Sequence, residues 1–471
     1  MSRAWLQVVC WLALVALPSG VDAAPPPSPS QLVDAVKTAD ADAVGRLLAQ
    51  GADANAVESD GTSALHWAVH RDNPAMVRLL IAAGADVKAA NRYGVTPLTL
   101  ASINRNAATA EILLEAGADA NTTSAEGETV LMTAARTGNP DLVRVLLARG
   151  ADVNATEKWR GQSALMWALS EKHLPVVQLL LDAGAEVKAK TTKGFTPFLF
   201  AVRGGDFAIV RTLLAAGADA NEAGGDGTTA LAVAIVNGHF ELASLLLDHG
   251  ADPNTDMPGG TALHAVTRTR NYEYGTVVRP AAEPTGALDA LDLVKLLLAR
   301  GANPNAQIVK PLPRQGGFDN NYLRLGGATP FLIAARSGDH ALMRLLVEHG
   351  ADPSLTTTEN VTPLMVAAGA GYVQGQSIAA PSDRLEAVKL LLELGADIHA
   401  TTKTGETAMH GAATGGVSEI VELLAARGAK LDAKDKDGTT PLAIADGTKS
   451  NFRRWPHIAE LLQRLMASSL H

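Results

Sequence analysis

The feature that most constrains this chain is a Gly-Ala pair that returns at almost constant spacing. The glycine of this pair occupies the positions Gly51, Gly84, Gly117, Gly150, Gly184, Gly217, Gly250, Gly301, Gly350, Gly395 and Gly428. The spacings are 33, 33, 33, 34, 33 and 33 residues, then 51, 49 and 45, and finally 33 again. A period of this kind is typical of stacked repeats, in which each unit packs only against its neighbours.

The composition agrees with thin, repeated layers. Only 4% of the 471 residues are aromatic, although 47% are hydrophobic. One large globular core normally uses more aromatic side chains than this. We therefore expect many shallow layers, packed mainly by alanine, leucine and valine.

Each unit predicts a pair of helices. Thr96 and Pro97 place a capping hydroxyl before a proline at the first helical position. The same Thr-Pro pair begins at Thr196, Thr329, Thr362 and Thr440. A second, amphipathic helix such as "DLVRVLLARG" stops at Gly150, as suits the left-handed residue after a helix. The polar segment between the glycine and the next threonine predicts a hairpin-like turn, called the finger below.

These motifs identify the family that the chain resembles. The segments "GTSALHWAV", "NPAMVRLLIAAGADV" and "GETAMHGAATGGVSEIVELLAARGA" are similar to the consensus of ankyrin-repeat proteins. The resemblance covers residues 31–471 in about twelve helix pairs. It implies an all-α repeat solenoid of stacked helix-turn-helix units with hairpin-like fingers. The first and last pairs are atypical, as terminal caps of a stack should be.

The N-terminus predicts export. Arg3 precedes an apolar run that ends before Pro18, and small residues follow up to Ala23, which is the pattern of a cleaved signal peptide over residues 1–23. The alternative is a single membrane anchor, but a spanning helix needs about 20 apolar residues. Residues 24–30 form a Pro-rich linker. We expect a mature protein without a membrane span, in a periplasm or outside the cell, and without cysteine, because Cys10 is the only one.

Several recurring polar residues predict structure rather than chemistry. One carboxylate per unit follows the Gly-Ala pair and suits turn hydrogen bonding; these are Asp53, Asp86, Asp119, Asp152, Asp219, Asp252, Asp352 and Asp397. His66, His264 and His410 share one position in the first helix, which favours a structural role over metal binding. Trp67, Trp167 and Phe200 share another, which favours core packing. Because no catalytic or nucleotide-binding motif is present, we expect no enzyme, metal or cofactor.

The period breaks in three consecutive units. Residues 31–250 form regular repeats, residues 251–394 carry three insertions, and residues 395–471 form a regular repeat and a C-terminal cap. The insertions cover residues 267–289, 306–327 and 369–384. They hold four of the five tyrosines of the chain and several arginines, residue types that are enriched at binding hot spots.

The insertions supply most of the predicted partner-binding residues. These are Arg268, Arg270, Tyr272, Tyr274, Arg279, Arg314, Phe318, Asn320, Asn321, Tyr322, Arg324 and Tyr372, together with the finger-tip residues Tyr93 and Trp159. Two other interpretations stay open: the loops are tolerated ornaments, or their aromatic side chains pack on the array itself. Packing and binding are compatible, because packed loops make a preorganised site.

The leading functional prediction is a monomeric, exported scaffold that binds a protein or peptide. The binding surface would be the concave side, made by fingers and first helices, and the loops of residues 260–385. The alternative is a carbohydrate- or small-ligand-binding protein that stacks its ligand on the loop tyrosines. A secreted effector directed at a host and an enzyme are weaker alternatives. A net charge of −9 disfavours nucleic acid as the partner.

Overall fold

The computed structural model describes residues 28–270, 285–310, 326–371, 379–448 and 454–468. Within these ranges the chain forms 24 α-helices, arranged as successive pairs. The predicted all-α repeat fold with about twelve helix pairs is confirmed. The predicted signal peptide lies outside the described residues. None of the helices in the described ranges is long and apolar enough to span a bilayer.

The chain divides into two compact units. The first comprises Met1–Ala125 and Ala148–Gly150. Its helices are α1 (Pro29–Lys37), α2 (Ala41–Ala49), α3 (Ala64–His70), α4 (Pro74–Ala82), α5 (Pro97–Ile103) and α6 (Ala107–Glu115). Helix α1 starts at Pro29, inside the predicted linker, and the N–H of Ser28 bonds to the side-chain Oε1 of Gln31 at 2.9 Å.

The second unit comprises Glu126–Leu147 and Ala151–His471. Its first helices are α7 (Val130–Thr137), α9 (Ala164–Ser170), α11 (Pro197–Gly204), α13 (Ala230–Val236), α15 (Ala262–Arg270), α17 (Pro330–Arg336), α19 (Pro363–Ala368), α21 (Ala408–Gly415) and α23 (Pro441–Ala445). Its second helices are α8 (Pro140–Ala148), α10 (Leu174–Asp182), α12 (Phe207–Ala215), α14 (Phe240–Asp248), α16 (Ala290–Ala299), α18 (His340–Glu348), α20 (Pro381–Glu393), α22 (Ser418–Ala426) and α24 (Pro456–Ser468).

The Thr-Pro pairs start first helices as predicted. In α17 the Thr329 hydroxyl accepts the backbone N–H of Leu332 at 3.2 Å, and Pro330 occupies the first turn. This helix is so enclosed that six of its residues are buried, Phe331 among them. By contrast, α12 buries only the stripe of Ile209, Val210 and Leu213. First helices therefore form the middle of each layer, and second helices form one of its outer sides.

A glycine ends second helices in the left-handed conformation, again as predicted. Gly217 has φ +93, and the N–H of the following Ala218 bonds to the carbonyl of Leu213 at 3.0 Å. The finger that follows contains a single antiparallel bridge, between Ala223 and Thr229. Within the second unit, first helices pack on the next first helices and second helices on the next second helices, as α9 with α11 and α10 with α12 show.

Asparagine side chains join neighbouring repeats near the base of the fingers. Asn221 donates from Nδ2 to the carbonyl of Gly250 at 3.0 Å, and its Oδ1 accepts the N–H of Asp252 at 2.8 Å. The same pair of bonds runs from Asn55, Asn154, Asn254 and Asn305 to the next repeat. Each amide thus satisfies a carbonyl and an N–H that the turn leaves open.

Replacing Asn221 by alanine should lower the free energy of unfolding by about 1 kcal/mol, because two inter-repeat hydrogen bonds disappear at an exposed position. Urea unfolding followed by circular dichroism measures this difference. Lys188 occupies the equivalent position in another repeat of the same unit, so Lys188→Ala is the matched control and should leave stability within about 0.5 kcal/mol. Equal effects of the two substitutions would contradict the role of the asparagine.

Candidate functional site

The start of the first insertion is helical and partly buried. Residues 267–270, predicted as loop, form the last turn of α15. Arg268 is only 5% exposed and donates from Nη1 to the carbonyl of Gly259 at 2.6 Å. Arg270 donates from Nε to the carboxylate of Asp339 at 2.7 Å. The sequence placed both arginines at a binding surface, whereas the structure gives both of them intramolecular partners and buries Arg268.

The far end of the first insertion is fixed on the preceding repeat. Thr285 donates its N–H to the carbonyl of Gly238 at 3.1 Å, and its hydroxyl lies 3.2 Å from Nδ1 of His239. The N–H of Leu288 bonds to the carboxylate of Glu241 at 2.9 Å. Both ends of the insertion are therefore held by neighbouring repeats.

The base of the second insertion is a short antiparallel pair. The N–H of Ile308 bonds to the carbonyl of Ala328 at 3.0 Å, and the N–H of Gly327 bonds back to the carbonyl of Ile308 at 2.8 Å. Ile308 is 3% exposed, so its side chain anchors the pair in the core. Lys310 adds a link to the previous finger, because its carbonyl accepts the N–H of Gly259 at 2.6 Å.

The base of the third insertion surrounds a buried arginine. Arg384 of α20 is 3% exposed and donates to three backbone carbonyls. These belong to Ala367 at 3.3 Å, to Gly415 at 3.1 Å and, in a shorter bond, to Ala368. The guanidinium thus closes the C-terminal ends of α19 and α21 and fixes the place where the insertion leaves the stack.

Most of the predicted loop residues lie outside the described part of the chain. They are Tyr272, Tyr274, Arg279, Arg314, Phe318, Asn320, Asn321, Tyr322, Arg324 and Tyr372. Their role in partner binding stays a prediction. The described residues add that the bases of all three insertions are hydrogen-bonded to the repeats around them.

The two predicted finger-tip aromatics are exposed. Tyr93, in the first unit, is 66% exposed, and the guanidinium of Arg92 lies 5.6 Å from its ring. Trp159, in the second unit, is 74% exposed, and the guanidinium of Arg160 lies 4.1 Å from its ring. Each tip therefore presents an arginine stacked on an aromatic face, an arrangement that gains electrostatic attraction.

The finger that carries Trp159 is held by a buried carboxylate. Glu157 is 6% exposed and accepts the backbone N–H groups of Trp159 at 2.6 Å, Arg160 at 2.8 Å and Gln162 at 2.9 Å. Burial raises the pKa of this carboxyl, but the three hydrogen bonds outweigh burial and bring the pKa below its usual value. The charged form thus fixes the backbone on which the exposed Trp159 stands.

Trp167 and Phe200 are half-buried, so the prediction of core packing is only partly right. The guanidinium of Arg136 lies 5.3 Å from the ring of Trp167. Phe200 packs edge-on against Phe195 of the same repeat, with centroids 6.5 Å apart. Trp167 and Phe200 belong to first helices and Phe195 to a finger. They add a partly exposed apolar surface to the two consecutive repeats whose first member carries Trp159.

A sequence signal for this region was available in the spacing. The interval from Gly150 to Gly184 is 34 residues, one more than the other regular intervals. The extra residue widens the finger: the N–H of Gly161 reaches back to Glu157, whereas Gly61 of a regular finger reaches only to Glu58. The one-residue departure therefore marks the finger that carries the most exposed tryptophan of the described residues.

The recurring histidines and aspartates have structural roles, as predicted. His264 lies with Nε2 at 3.1 Å from the carbonyl of Ala328, while Nδ1 accepts the N–H of Thr261 at 3.0 Å. His66 and His410 make equivalent bonds. Each recurring aspartate accepts the N–H of the second residue after it, as Asp219 does from Asn221. The described residues contain no cluster of side chains that could hold a metal ion.

Comparison with known proteins supports the prediction of an ankyrin-repeat fold. The sequence model of a family described as "Ankyrin repeats (3 copies)" matches residues 32–124, 109–191, 198–279, 281–375 and 377–451. The chain is 33% identical over 119 residues to a transient receptor potential cation channel subfamily A member 1 homolog of Caenorhabditis elegans, covering 25% of the chain and 9% of the relative.

Two mouse proteins are similar over comparable stretches. Ankyrin repeat and SOCS box protein 16 is 35% identical over 127 residues, which are 27% of this chain and 27% of the relative. Protein phosphatase 1 regulatory subunit 27 is 43% identical over 65 residues, which are 14% of this chain and 42% of the relative. The chain thus spans less than half the length of each of these relatives.

Proposed function

Since the chain belongs to the family of ankyrin repeats, whose members generally mediate protein–protein interaction, we propose that it is a non-enzymatic scaffold that binds a polypeptide. The binding surface is the exposed side of the fingers and first helices, extended by the insertions of residues 260–385. The scaffold acts after export through its N-terminal signal, in a periplasm or outside the cell. Fold alone does not name a partner, so the surface itself has to carry the proposal.

The observation that carries the proposal is the rigid, exposed pair of Trp159 and Arg160. Tryptophan and arginine are the residue types that most often dominate binding energies at protein interfaces. Three hydrogen bonds to Glu157 fix the backbone beneath the pair. A partner that contacts it therefore meets a large surface that loses little conformational freedom on binding.

The three insertions support the same function. Arginines and backbone pairs fix their bases to the stack, and their remaining residues include tyrosines and arginines. These residue types are enriched at binding hot spots, which supports a binding role for the insertions. The same loops could also stack a sugar ring. Trp159, however, is 74% exposed at a finger tip, and an exposed tip suits a polypeptide better than a small ligand.

Replacing Trp159 by alanine should weaken binding of the native partner by about 2 kcal/mol, roughly thirtyfold in Kd. The partner is captured from the native exported fraction with the wild-type chain, purified, and titrated against each variant by calorimetry. Phe207→Ala is the matched control, because Phe207 is an exposed aromatic residue of a second helix in the same unit. It should bind like the wild type.

The insertions are tested by the combined substitution of Tyr272, Tyr322 and Arg324 by alanine, which should also weaken binding. Thermal unfolding of each variant separates lost contacts from lost stability, because a surface contact leaves the unfolding temperature unchanged. Wild-type affinity in both the Trp159 variant and the loop variant would overturn the proposal.

A further inference from the structure

The finger with Trp159 and the finger that follows it form one continuous edge. The N–H of Lys158 bonds to the carbonyl of Glu126 in the finger before, at 2.9 Å, and the N–H of Thr192 in the finger after bonds to the carbonyl of Arg160 at 2.8 Å. These backbone bonds tie the finger tips together. Side chains on neighbouring tips therefore keep fixed relative positions.

This edge is basic although the chain as a whole is acidic, with a net charge of −9. The two fingers, residues 155–162 and 188–195, carry five exposed cationic side chains: Lys158, Arg160, Lys188, Lys190 and Lys193. The one carboxylate within them is Glu157, which is buried and accepts backbone N–H groups. The five positive charges of the two fingers thus face only one negative charge within the same residues.

The basic stretch has clear limits along the row of fingers. Glu126 lies on the finger before it and Asp226 on the finger after it. Each finger occupies about one interhelix distance, roughly 10 Å, so two fingers span about 20 Å. An extended chain of roughly six residues, at about 3.3 Å per residue, covers this length. Acidic residues on both sides repel a longer polyanion, so a short acidic stretch fits better than nucleic acid.

Apolar rings accompany the positive charge. Trp159 is exposed, and Trp167, Phe195 and Phe200 are half-buried on the same two repeats. A ligand for this surface therefore needs both carboxylates and apolar side chains. In an extended chain, successive side chains point to opposite sides. An alternating segment that lies between the fingers and the first helices therefore turns its carboxylates to one and its apolar side chains to the other.

We propose that the fingers of residues 155–162 and 188–195 and the adjoining rings bind a short, extended polypeptide segment in which acidic and apolar residues are interspersed. This inference rests on the proposed scaffold function and names the chemistry of its partner segment. Arg160 and Lys193 attract the carboxylates of the segment, and Trp159, Trp167 and Phe200 cover its apolar side chains.

Fluorescence anisotropy tests this with three labelled octapeptides of alternating residues: glutamate with leucine, glutamine with leucine, and lysine with leucine. At about 50 mM salt, the acidic peptide should bind at least tenfold more tightly than the glutamine peptide, and the lysine peptide should not bind. The preference should shrink in about 0.5 M salt, because exposed charges are then screened.

The variant Arg160→Glu/Lys193→Glu should lose at least tenfold in affinity for the acidic peptide. Arg211→Glu is the matched control: Arg211 is an exposed cation on α12 of the same unit, and this variant should keep the affinity within about twofold. Circular dichroism verifies that both variants fold. Two results overturn the inference. One is a loss of affinity for the acidic peptide in the Arg211 variant while the double variant binds like the wild type, and the other is equal binding of the acidic and glutamine peptides.

An eight-base oligothymidylate is the competing polyanion, and tighter binding of it than of the acidic peptide overturns the inference. The proposed scaffold function has its own readout, the native partner's loss of affinity in Trp159→Ala. If that loss is observed while the three peptides bind alike, the scaffold function stands and only the acidic chemistry of the segment is wrong.

Discussion

Replacing Arg384 by alanine should lower the free energy of unfolding by about 3 to 5 kcal/mol, because three buried hydrogen bonds from a charged donor are lost at once. Arg384 is 3% exposed, so its carbonyl partners are shielded from bulk water. The carbonyls of Ala367, Ala368 and Gly415, which accept from it, remain without that donor. The C-terminal ends of α19 and α21, in consecutive repeats, thus lose a shared hydrogen-bond donor at the same time.

The surrounding residues show that the space is made for this guanidinium. A side-chain carbon on Gly369 or Gly415 would collide with Nη2 of Arg384. Gly369 also has φ +127, a conformation that other residues rarely adopt. The guanidinium stands at the C-terminal ends of α19 and α21, where helix dipoles favour a positive charge. These features explain how a buried guanidinium is accommodated among three backbone carbonyls.

Urea unfolding of the whole chain measures the loss, with Lys389→Ala as the matched control. Lys389 lies on the same helix, α20, and forms an exposed ion pair with Glu386 at 2.8 Å, so its loss should cost less than about 0.5 kcal/mol. Arg384→Lys should recover little stability, because an ammonium does not reach three carbonyls with a planar fork. A loss below about 1 kcal/mol in Arg384→Ala would contradict this account.

The repeat fold was predictable because its signals are local and recur. Three of its signals act within a few residues, and the structure confirms them: the hydroxyl before Pro330, the recurring glycine after a second helix, and the aspartate that follows most of these glycines. Many copies of one pattern also remove the ambiguity of any single copy. The helix pairs followed directly from the period.

The site was less predictable because its contacts cross between repeats. The break in the period at residue 267 suggested a loop, but α15 continues to Arg270. The hydroxyls of Thr267 and Thr269 donate to backbone carbonyls one turn earlier in this helix, at 2.7 and 2.9 Å. The partner of Arg270, Asp339, lies 69 residues away in sequence. Pattern alone does not identify such pairs.

The half-buried rings illustrate a second limit. Trp67, Trp167 and Phe200 occupy the same position of a first helix, which sequence reasoning assigned to the core. All three are half-buried, and the tryptophans differ in what meets the indole N–H. In the first unit, Glu58 accepts the indole N–H of Trp67 at 2.7 Å, whereas the corresponding carboxylate before Trp167, Glu157, turns to the backbone of its own finger. One residue of extra finger length separates the two cases.

Stability should fall steeply as the pH drops below about 6, and His264 should account for much of the slope. Burial, together with the charge of the nearby Arg268, lowers the pKa of His264 from 6.5 to about 3, against the opposing effect of hydrogen bonds to the carbonyls of Ala328 and Ala306. The unfolded chain takes up a proton near pH 6.5, whereas the folded chain stays neutral at this site down to about pH 3.

The hydrogen bonds explain why the folded site resists protonation. Nε2 lies beside the carbonyl of Ala328 and donates to it, and Nδ1 accepts the N–H of Thr261 at 3.0 Å. A proton on Nδ1 would point at that N–H and break the bond. The imidazolium would also face Arg268, which is itself buried. Protonation therefore costs both a hydrogen bond and a like-charge contact.

Because folding lowers the pKa of His264, its full contribution to the free energy of unfolding is present above the pKa of the unfolded chain, 6.5. The contribution declines as the pH falls from there toward the pKa of the folded chain, about 3. The decline is about 1.4 kcal/mol per pH unit for one such group, and up to about 5 kcal/mol in total by pH 3. Urea unfolding at half-unit intervals from pH 7 to about 4 gives the slope directly. Other groups add to it, so the contribution of His264 is read from variants.

His264→Gln removes the titrating group, so the slope between about pH 6 and 4 should flatten by up to 1.4 kcal/mol per unit, even though the variant is less stable at neutral pH. His249→Gln is the matched control, because His249 is an exposed histidine at the end of α14 and its loss should leave the slope of the wild type. The slope, unlike the stability at one pH, separates titration from simple loss of packing. An unchanged slope in His264→Gln would show that the buried imidazole is not the group that couples folding to pH.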